Sequence, residues 1–400
     1  MKKGWELARL DTVIINFIVP QRDRPKVFDG DVPWCRIEDF DGIYLSKSKS
    51  GLCVSEALIE SMPLRVYPAD TVIVSCSADL GRCAIIARPL ITNQTFIGLV
   101  PSENIKPLYL YYLMGHKADH LNAIASGAII KYLSKKKFQE LEIPIPPLSE
   151  QEEIVEVLDT AFAAIDQAKA NIEQNIANAN ELFQSKLNQI FSQKGEGWVE
   201  TTLGNLIKVK HGFAFKSQFF TTEGEHVLLT PGNYHEKGGY RDRGSKQKYY
   251  VGEIPEGYIL EQDDLLLAMT EQAAGLLGSP LLVPESNRFL HNQRLGLIQH
   301  ISDQPPSNRY LFHAFNTKSF RDEIHNTGTG VKVRHTSPTK ICEVTINITF
   351  DTEMQKQVVN TLESLQIKTD AIVTEYQTKL ASLDELKKSI LQKAFAGELT

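Results

Sequence analysis

The residues that could carry out catalysis are sparse in this chain of 400 residues. An amino-methyltransferase needs an Asn/Asp-Pro-Pro-aromatic string, and the nearest approach, Asp-Gln-Pro-Pro-Ser at 303–307, has an extra residue and no aromatic ring. The Gly-Thr-Gly string at 328–330 is a lone glycine pair, which is more typical of a turn than of a cofactor loop. The sequence has no Gly-x-x-x-x-Gly-Lys-Ser/Thr phosphate loop, so we do not expect nucleotide hydrolysis.

The remaining catalytic patterns are also missing. The ten histidines include no His-Glu-x-x-His or comparable metal-binding spacing. Glu385 and Lys387 have the Glu-x-Lys spacing of a nuclease, but they fall on a predicted terminal helix, where a solvated pair is the simpler interpretation. We therefore predict a protein that is not an enzyme and that holds no metal and no cofactor.

The chemistry that remains is binding to a polyanion. Basic residues mixed with phenylalanine and tyrosine between residues 205 and 250 fit either a nucleic-acid surface or an ordinary basic surface. Lysines neutralise phosphates, whereas arginine, asparagine and glutamine can make paired hydrogen bonds to base edges. The basic candidates for phosphate contact are Lys47, Lys49, Lys131, Lys210, Lys216, Arg243, Lys246, Lys248, Lys332 and Arg334. The candidates for base reading are Arg82, Asn93, Gln94, Gln272, Asn292, Gln293 and Arg294.

Two sets of these candidates occupy similar places in the two halves of the chain. The Asn-Gln pairs at 93–94 and 292–293 either read bases or cap turns inside their domains. The loops at 127–131 and 330–334 each precede a predicted long helix. We expect these loops to approach a phosphate backbone.

The net charge of −6 does not exclude such a partner. Acidic residues outnumber basic ones at 150–200 and at 351–400, two predicted helical segments, and the rest of the chain is mildly basic. No apolar run reaches the roughly 18 residues of a membrane span, and charges interrupt the first 21 residues, unlike a signal peptide. The five cysteines contain no Cys-x-x-Cys pair and indicate reduced thiols. We expect a cytoplasmic protein that does not bind membranes.

The sequence contains an internal repeat. Residues 127–131 and 330–334 match, and further identities follow at an almost constant spacing over some seventy residues. The matched pairs include Ile143 with Ile346, Gln151 with Gln355, Leu158 with Leu362, Asp166 with Asp370, Leu187 with Leu391 and Phe191 with Phe395. Such a run indicates two copies of one structural plan.

Each copy ends in a predicted long helix. In the first copy, a proline-rich segment ends at Pro147, and Ser149 with Glu152 forms a capping box. Apolar residues then recur every three, four or seven positions without an interruption before Gly195, and residues 151–193 would span about 65 Å as a helix. A stripe this narrow requires a second helix, so we predict an intramolecular antiparallel pair. The alternative is that each helix packs on its own domain.

The segments before the helices contain short β-rich runs separated by turn residues. Residues 71–74, 84–87 and 295–298 are predicted strands, and 109–115 and 309–320 are predicted short helices. The predicted fold class is α+β, with two mixed, mostly β domains separated by two long antiparallel coiled-coil helices and related by an internal pseudo-two-fold repeat. The predicted boundaries are 1–148 for the first domain, 149–195 for the central helix, 196–350 for the second domain and 351–400 for the distal helix.

Over essentially its whole length the chain resembles the specificity subunits of type I restriction-modification systems. Residues 33–39 (Pro-Trp-Cys-Arg-Ile-Glu-Asp) are similar to the family's recurrent opening, and residues 141–151 are close to its entry into the central conserved helix. The second half departs from the family pattern, because Ile-Asn-Ile-Thr-Phe at 346–350 replaces the proline-rich helix entry. Further similar strings are Thr-Asn-Gln-Thr-Phe at 92–96, Gly-Phe-Ala-Phe-Lys-Ser at 212–217, His-Asn-Gln-Arg at 291–294 and the ending at 386–399.

This resemblance implies a function. The two domains would be target-recognition domains, each reading one half of a split double-stranded DNA target, and the helices would fix the unread spacer. The helices would also bind two adenine methyltransferase (M) subunits, and the resemblance leaves open whether restriction/motor (R) subunits join. The alternative function is a non-catalytic scaffold that binds proteins or carbohydrate and dimerises through its helices. Because the two domains share little sequence, the first function predicts two different half-sites.

Overall fold

A computed structural model of the protein describes residues 2–20, 24–77, 79–127, 131–195, 197–272 and 275–399. Residues 128–130 of the predicted repeat and Glu196 at a predicted domain boundary lie outside the described residues. The chain divides into two units. The first unit is Met1–Ile172 with Gln377–Thr400, and the second is Glu173–Tyr376.

Among its described residues the first unit contains ten strands. They are β1 (Glu6–Arg9), β2 (Ile14–Ile18), β3 (Val32–Cys35), β4 (Tyr44–Leu45), β5 (Cys53–Val54), β6 (Val72–Ser75), β7 (Cys83–Ile86), β8 (Ile91–Thr92), β9 (Phe96–Pro101) and β10 (Glu142–Ile145). They form a sheet in the order β2-β9-β6-β7-β4, a second sheet in the order β5-β3-β8 and the pair β1-β10. The central strand β6 is buried along its whole length, which explains its continuous apolar sequence.

Short helices close the core of the first unit. The helices are α1 (Glu56–Ser61), α2 (Pro107–His116), α3 (Ala118–Ile124), α4 (Lys135–Gln139) and the start of α5 (Leu148–Phe191). Pro107 at the first turn of α2 suits a helix start, because proline has no N–H to leave unpaired there. Tyr109 and Leu113 of α2 are fully buried, and the Tyr109 hydroxyl donates to the Pro144 carbonyl at 2.9 Å.

The described residues of the second unit contain twelve strands and the short helices α6 (Asn308–Ala314), α7 (Lys318–Thr327) and α8 (Pro338–Glu343). The strands are β11 (Trp198–Thr202), β12 (Ile207–His211), β13 (Phe220–Thr221), β14 (His226–Leu228), β15 (Tyr249–Tyr250), β16 (Leu265–Ala268), β17 (Thr270–Glu271), β18 (Pro280–Leu282), β19 (Phe289–Leu290), β20 (Leu295–His300), β21 (Arg334–His335) and β22 (Thr345–Thr349). The chain ends in the long helix α9 (Thr352–Ala396).

The strand topology repeats between the two units. The order β2-β9-β6-β7 of the first unit corresponds to β12-β20-β16-β18 of the second, with the same succession along the chain. The order β5-β3-β8 likewise corresponds to β15-β14-β19, including a parallel pair in each. The pairs β1-β10 and β11-β22 complete the match. The predicted α+β class and internal repeat are therefore confirmed.

The long helices lie side by side within each unit. In the first unit, Asp166 of α5 is 3.2 Å from Lys387 of α9, and Lys169 pairs with Asp384. From the first ion pair to the second, the residue number rises from 166 to 169 on α5 and falls from 387 to 384 on α9. The two helices are therefore antiparallel. In the second unit the ends of the two helices share one core, made by Leu187, Ile190, Phe191, Val358, Val359 and Leu362. The predicted antiparallel pair is confirmed, and each helix also packs on the domain beside it.

Two local predictions differ from the structure. Helix α5 begins at Leu148, because the Pro147 carbonyl already accepts the N–H groups of Glu150 and Gln151, so Ser149 lies inside the helix and is not its N-cap. The predicted helix at 309–320 is broken into α6 and α7. The break occurs where the Thr317 hydroxyl accepts the Phe320 N–H and thereby starts a new helix.

The remaining predicted elements of the domains agree with the structure. The strand predicted at 71–74 is β6, the strand predicted at 84–87 is β7, and the strand predicted at 295–298 is the start of β20. The short helix predicted at 109–115 lies within α2. Within the described part of the chain, no helix is both long enough and apolar enough to span a bilayer.

Candidate nucleic-acid interface

The second unit contains a cleft of about 1220 Å³. Four of the predicted site residues line it: Arg243, Lys248, Gln272 and Arg294. They come from loops at strand ends, where backbone groups are not fully used in the sheets. Sequence reasoning missed Lys237 and Arg241 as members of the same lining, although both belong to the basic segment at 205–250.

The charges of this cleft are arranged unequally. Its loop side carries the arginine and lysine side chains together with Glu236 and the buried Glu271. Helix α9 contributes Gln366, Asp370 and Glu363 to the lining, and Glu363 forms an ion pair with Arg309. A basic surface attracts phosphates and an amide can read base edges, so the loop side is the one that suits DNA. The acidic helix side would disfavour a phosphate placed against it.

A buried amide network fixes the basic loop. Asn233 is fully buried, and its Nδ2 donates to Gln247 Oε1 at 2.9 Å. The same Asn233 accepts the Thr230 N–H at 3.0 Å, and Gln247 accepts the Arg243 N–H at 3.4 Å. These bonds close the loop at both ends, so the backbone that carries Arg243 is held by the fold.

The loop that carries Gln272 is held by a buried carboxylate. Glu271 is 2% exposed, and its Oε2 accepts the N–H groups of Leu276 and Leu277, both at 2.9 Å. Its Oε1 lies 3.3 Å from the guanidinium of Arg334, which also donates to the His325 carbonyl. The contact with Glu271 indicates a structural role for Arg334. The side chain of Lys332, by contrast, is exposed to solvent. The predicted DNA contacts of both residues stay predictions.

Other predicted residues of the second unit lie outside the cleft lining. The Lys210 ammonium donates to the Gly257 carbonyl at 2.6 Å and lies 4.4 Å from the centre of the Tyr258 ring. Lys216 and Lys246 are exposed. The ammonium of Lys210 is therefore held by contacts within the second unit. Lys216 and Lys246 are not among the residues that line the cleft.

The second Asn-Gln pair packs against the Gly-x-x-Phe-Lys-Ser element. The Gln293 N–H donates to the Phe213 carbonyl at 2.9 Å, and a Cβ on Gly212 would lie 2.0 Å from the Asn292 carbonyl oxygen. Only glycine fits at position 212, because the backbone of Asn292 lies too close to leave room for a Cβ atom. The two sequence motifs meet at one turn, with Asn292 half-buried and Gln293 exposed.

The first unit has a smaller cavity beside its own Asn-Gln pair, whereas the second Asn-Gln pair lies outside the cleft of the second unit. The smaller cavity has a volume of about 400 Å³ and is lined by Arg24, Trp34, Arg36, Arg65, Asn93 and Gln94, among others. The guanidinium carbons of Arg24 and Arg36 lie 5.2 and 5.7 Å from the centre of the Trp34 ring. An arginine-rich cavity beside an aromatic ring can take a phosphate or a base. Sequence reasoning missed all three arginines, although Arg36 stands in the quoted Pro-Trp-Cys-Arg string.

Asn93 and Gln94 differ in how far their side chains are hydrogen-bonded within the fold and exposed to solvent. Asn93 Oδ1 accepts the Thr95 hydroxyl at 2.6 Å, and the Asn93 N–H donates to the Cys35 carbonyl at 3.3 Å. Gln94 is exposed beside them. The geometry therefore gives Asn93 the turn-capping role that the sequence left open, while Gln94 faces the solvent.

The other basic candidates of the first unit are distributed around it. Lys49 donates to the Phe40 carbonyl at 3.1 Å, and Lys131 donates to the Asn122 carbonyl at 3.3 Å. The guanidinium carbon of Arg82 lies 5.5 Å from the centre of the Phe40 ring, and Lys47 is exposed. None of these four basic candidates lines the cavity that holds the arginines, whereas Asn93 and Gln94 do.

Comparison with known proteins shows which proteins the chain is similar to. Residues 3–178 match the family described as "Type I restriction modification DNA specificity domain". The chain is 28% identical to the StySPI specificity subunit of Salmonella potsdam, in an alignment that covers 100% of this chain and 90% of that protein. Over its whole length, the chain is therefore similar to specificity subunits of type I restriction-modification systems.

Further specificity subunits are similar to the chain over shorter stretches. The MjaIX specificity subunit of Methanocaldococcus jannaschii is 28% identical over 52% of this chain, and the match spans only 53% of that relative. The EcoR124I/EcoR124II specificity subunit of Escherichia coli is 31% identical over 33% of this chain and 33% of its own length.

Solved structures share the fold. A chain from a study of assembly and conformational transition of the type I R-M system has a TM-score of 0.78 at 18% identity, and covers 100% of this chain and 99% of its own. The HsdS subunit from Thermoanaerobacter tengcongensis has a TM-score of 0.59 at 16% identity, with coverage of 100% and 98%. These neighbours confirm the α+β fold class with its two long helices.

Proposed function

We propose that the chain is a specificity subunit, which gives a type I restriction-modification complex its DNA sequence preference, with each unit reading one half of a bipartite target. The observation that carries the proposal is the basic cleft of the second unit, where Arg243, Lys248, Gln272 and Arg294 meet. In the first unit, a separate cavity beside the Asn-Gln pair holds Arg24, Arg36 and Arg65. The similarity of the chain to specificity subunits supports the prediction of a non-catalytic subunit.

The roles of the individual side chains follow from their chemistry. Lysines such as Lys248 would neutralise phosphates and hold the unit in register on the duplex. Arg294 would suit guanine and Gln272 would suit adenine, because each can make two hydrogen bonds to the major-groove edge of that base. Since the two cavities carry different side chains, the two half-sites differ in sequence.

The long helices complete the proposed assembly. They set the unread spacer between the half-sites and bind the methyltransferase subunits, two for each specificity subunit, and restriction/motor subunits bind to the resulting complex. The domains are proposed to end near the helix starts, with residues 1–148 and 196–350 as recognition domains and 149–195 and 351–400 as conserved helices. The protein is proposed to act in the cytoplasm on double-stranded DNA.

The experiment that tests this function is methylation sequencing of a whole genome. The gene is expressed with the methyltransferase gene of the same system in a host that lacks DNA methylation. The expected result is one split motif with two unlike halves around a fixed gap, and replacement of residues 1–142 by those of another specificity subunit should change one half only. If both proteins are present and bind each other but no motif is methylated, the proposal fails and a scaffold function gains support.

A further inference from the structure

A notch on the first unit presents acidic side chains to the solvent. It is a cavity of about 600 Å³ where the loop before β6, the start of α2 and the first turns of α5 meet. Lys106 lines the notch and pairs with Glu152 at 2.5 Å. Among the described residues, no basic side chain forms an ion pair with the other lining carboxylates, those of Asp70, Glu156 and Asp159.

The second unit contains the counterpart of Asp70. Asp70 and Asp263 both stand just before the corresponding strands β6 and β16, and both have a backbone φ of 63°. Their N–H groups donate to equivalent carbonyls, that of Ile86 at 2.8 Å and that of Val283 at 2.9 Å. The two aspartates therefore occupy the same place in the two copies of the fold.

The other side of the notch also has a counterpart. The match of Leu158 with Leu362 places Asp159 opposite Glu363, so both copies keep an acid at this position. The match of Tyr109 with Tyr310, the buried tyrosines of α2 and α6, places Leu108 opposite Arg309. The two copies thus keep an acid at these two positions, and Leu108 of the first copy stands where the second has Arg309. The other two acids of the notch are not shared, because Lys356 and Asn360 stand opposite Glu152 and Glu156.

In the second unit, the two acids Asp263 and Glu363 bind the guanidinium of Arg309. Its Nη2 lies 3.1 and 3.2 Å from the two carboxylate oxygens of Asp263, and its Nη1 lies 3.1 Å from Glu363 Oε1. A guanidinium between two carboxylates makes charge-assisted hydrogen bonds in a fixed geometry. In the first unit, Leu108 leaves the same position open as a cavity.

We propose that the notch of the first unit receives an arginine side chain from a methyltransferase subunit, in the position that Arg309 occupies in the second unit. This inference rests on the proposed function, which supplies the partner. The charge of the notch favours a cationic occupant, because the carboxylates of Asp70, Glu156 and Asp159 have no ion pair among the described residues. The Asp159 carboxylate also accepts a hydrogen bond from the Tyr112 hydroxyl. Leu108 and Val155 provide apolar walls for the methylene groups that precede a guanidinium.

An asymmetry between the two units follows. The second unit closes its own notch with Arg309, so it lacks a free site for the same partner arginine. The two methyltransferase subunits would then dock with different contacts, and the one on the first unit would have the additional ion pair.

The first test asks whether the notch accepts a guanidinium at all. The variant L108R, made in the full chain, would supply the arginine internally. Its melting temperature is expected to exceed that of L108Q by about 2 °C, as for a partly exposed ion pair in a protein of this size. The gain should vanish when D70N is added to both variants. Equal melting temperatures of L108R and L108Q would overturn the proposal.

The second test measures binding of the methyltransferase subunit of the same system by isothermal titration calorimetry. L108R fills the notch and should weaken this binding about tenfold or more. I15R adds the same charge to the first unit on the exposed Ile15 of β2, outside the notch, and should bind as the unaltered chain does. If L108R binds as tightly as I15R, the notch is not the partner's site. If the unaltered chain itself does not bind the subunit, the proposed function fails together with this inference.

Discussion

Gln151 binds the backbone of Lys106 across the junction between α5 and the domain before it. Its Oε1 accepts the Lys106 N–H at 2.8 Å, and its Nε2 donates to the carbonyls of Pro146 and Asn104 at 2.9 and 3.0 Å. The side chain is fully buried. One amide thus satisfies three backbone groups that would otherwise be buried without partners, and it ties the start of the long helix to the helix α2.

The second unit repeats this arrangement. Gln355 Oε1 accepts the Ser307 N–H at 3.0 Å, and its Nε2 donates to the Thr349 carbonyl at 2.8 Å. The repeat pairs these two glutamines in the sequence, and the contacts give the pairing a physical reason. A glutamine suits this position because its amide accepts from an N–H through Oε1 and donates to a carbonyl through Nε2 at the same time.

We expect Q151L to lower the free energy of unfolding by about 2–4 kcal/mol, because buried backbone groups lose their partners. Q151E should cost a similar amount, since a carboxylate cannot donate to the Pro146 carbonyl. Urea unfolding measures both effects, and hydrogen exchange of the Lys106 amide reports the local loss. Q355L is the matched variant in the second unit and should leave exchange at Lys106 unchanged. A loss below about 1 kcal/mol for Q151L would show that water replaces the amide.

The pair Glu271 and Arg334 leads to a prediction about stability. The carboxylate is almost fully buried and Arg334 is its counter-charge, with a side chain that is 33% exposed. R334A should therefore lower the free energy of unfolding by about 2–3 kcal/mol, less than a fully buried pair because water can reach the carboxylate. E271Q in the R334A background should restore part of this loss. The neighbouring K332A should leave stability unchanged, and equal stability of R334A and K332A would contradict the structural role.

The base-reading role of Arg294 can be separated from a phosphate role of Lys248. R294A should relax the methylated motif at one position of one half-site, with a discrimination loss of about 1–3 kcal/mol. K248A should weaken binding to all sequences alike and reduce the salt dependence of the binding constant by about one ion. Methylation sequencing and salt titrations of DNA binding distinguish the two outcomes. A motif that stays unchanged in R294A would remove this residue from the base-reading set.

The sequence predicts the repeat and the helices better than it predicts the site. Identities such as that between Gln151 and Gln355 are visible in one chain, because each copy must solve the same packing problem. The break after Phe315 was not predictable from periodicity, since the apolar pattern continues from α6 into α7 and the break depends on the Thr317 cap. The local start of α5 was missed because a backbone carbonyl, not Ser149, closes the first turn.

The membership of the candidate site depends on contacts between distant segments. Arg334 looks like a surface cation in the sequence, and only its approach to Glu271, sixty-three positions away, shows that it is used inside the fold. Arg24 and Arg65 have no motif around them, and they join the first cavity because the strands bring them beside Trp34. The residue type can be read from a sequence, whereas the partner of each charge requires the fold.

Two buried histidines predict a loss of stability in weak acid. Burial lowers the pKa of His291 and that of His313 to about 4, and the His291 ring donates from Nε2 to the Leu295 carbonyl at 3.0 Å. In the unfolded chain an imidazole takes up a proton near pH 6.5. The unfolded state therefore binds more protons between about pH 6.5 and 4, so the stabilisation is complete above this window and is lost as the pH falls through it.

The expected loss is about 2 kcal/mol for each of these histidines between pH 7 and pH 5. The variant H313Y introduces the residue that stands at the equivalent position of the first unit, Tyr112, and it removes one titrating group. Denaturant unfolding at the two pH values should show a decrease in H313Y that is smaller by about 2 kcal/mol than in the unaltered chain. The comparison is made as a difference between pH values, so a uniform packing cost of the larger ring cancels. An identical decrease in both proteins would mean that His313 is charged in the folded state or stays solvated there.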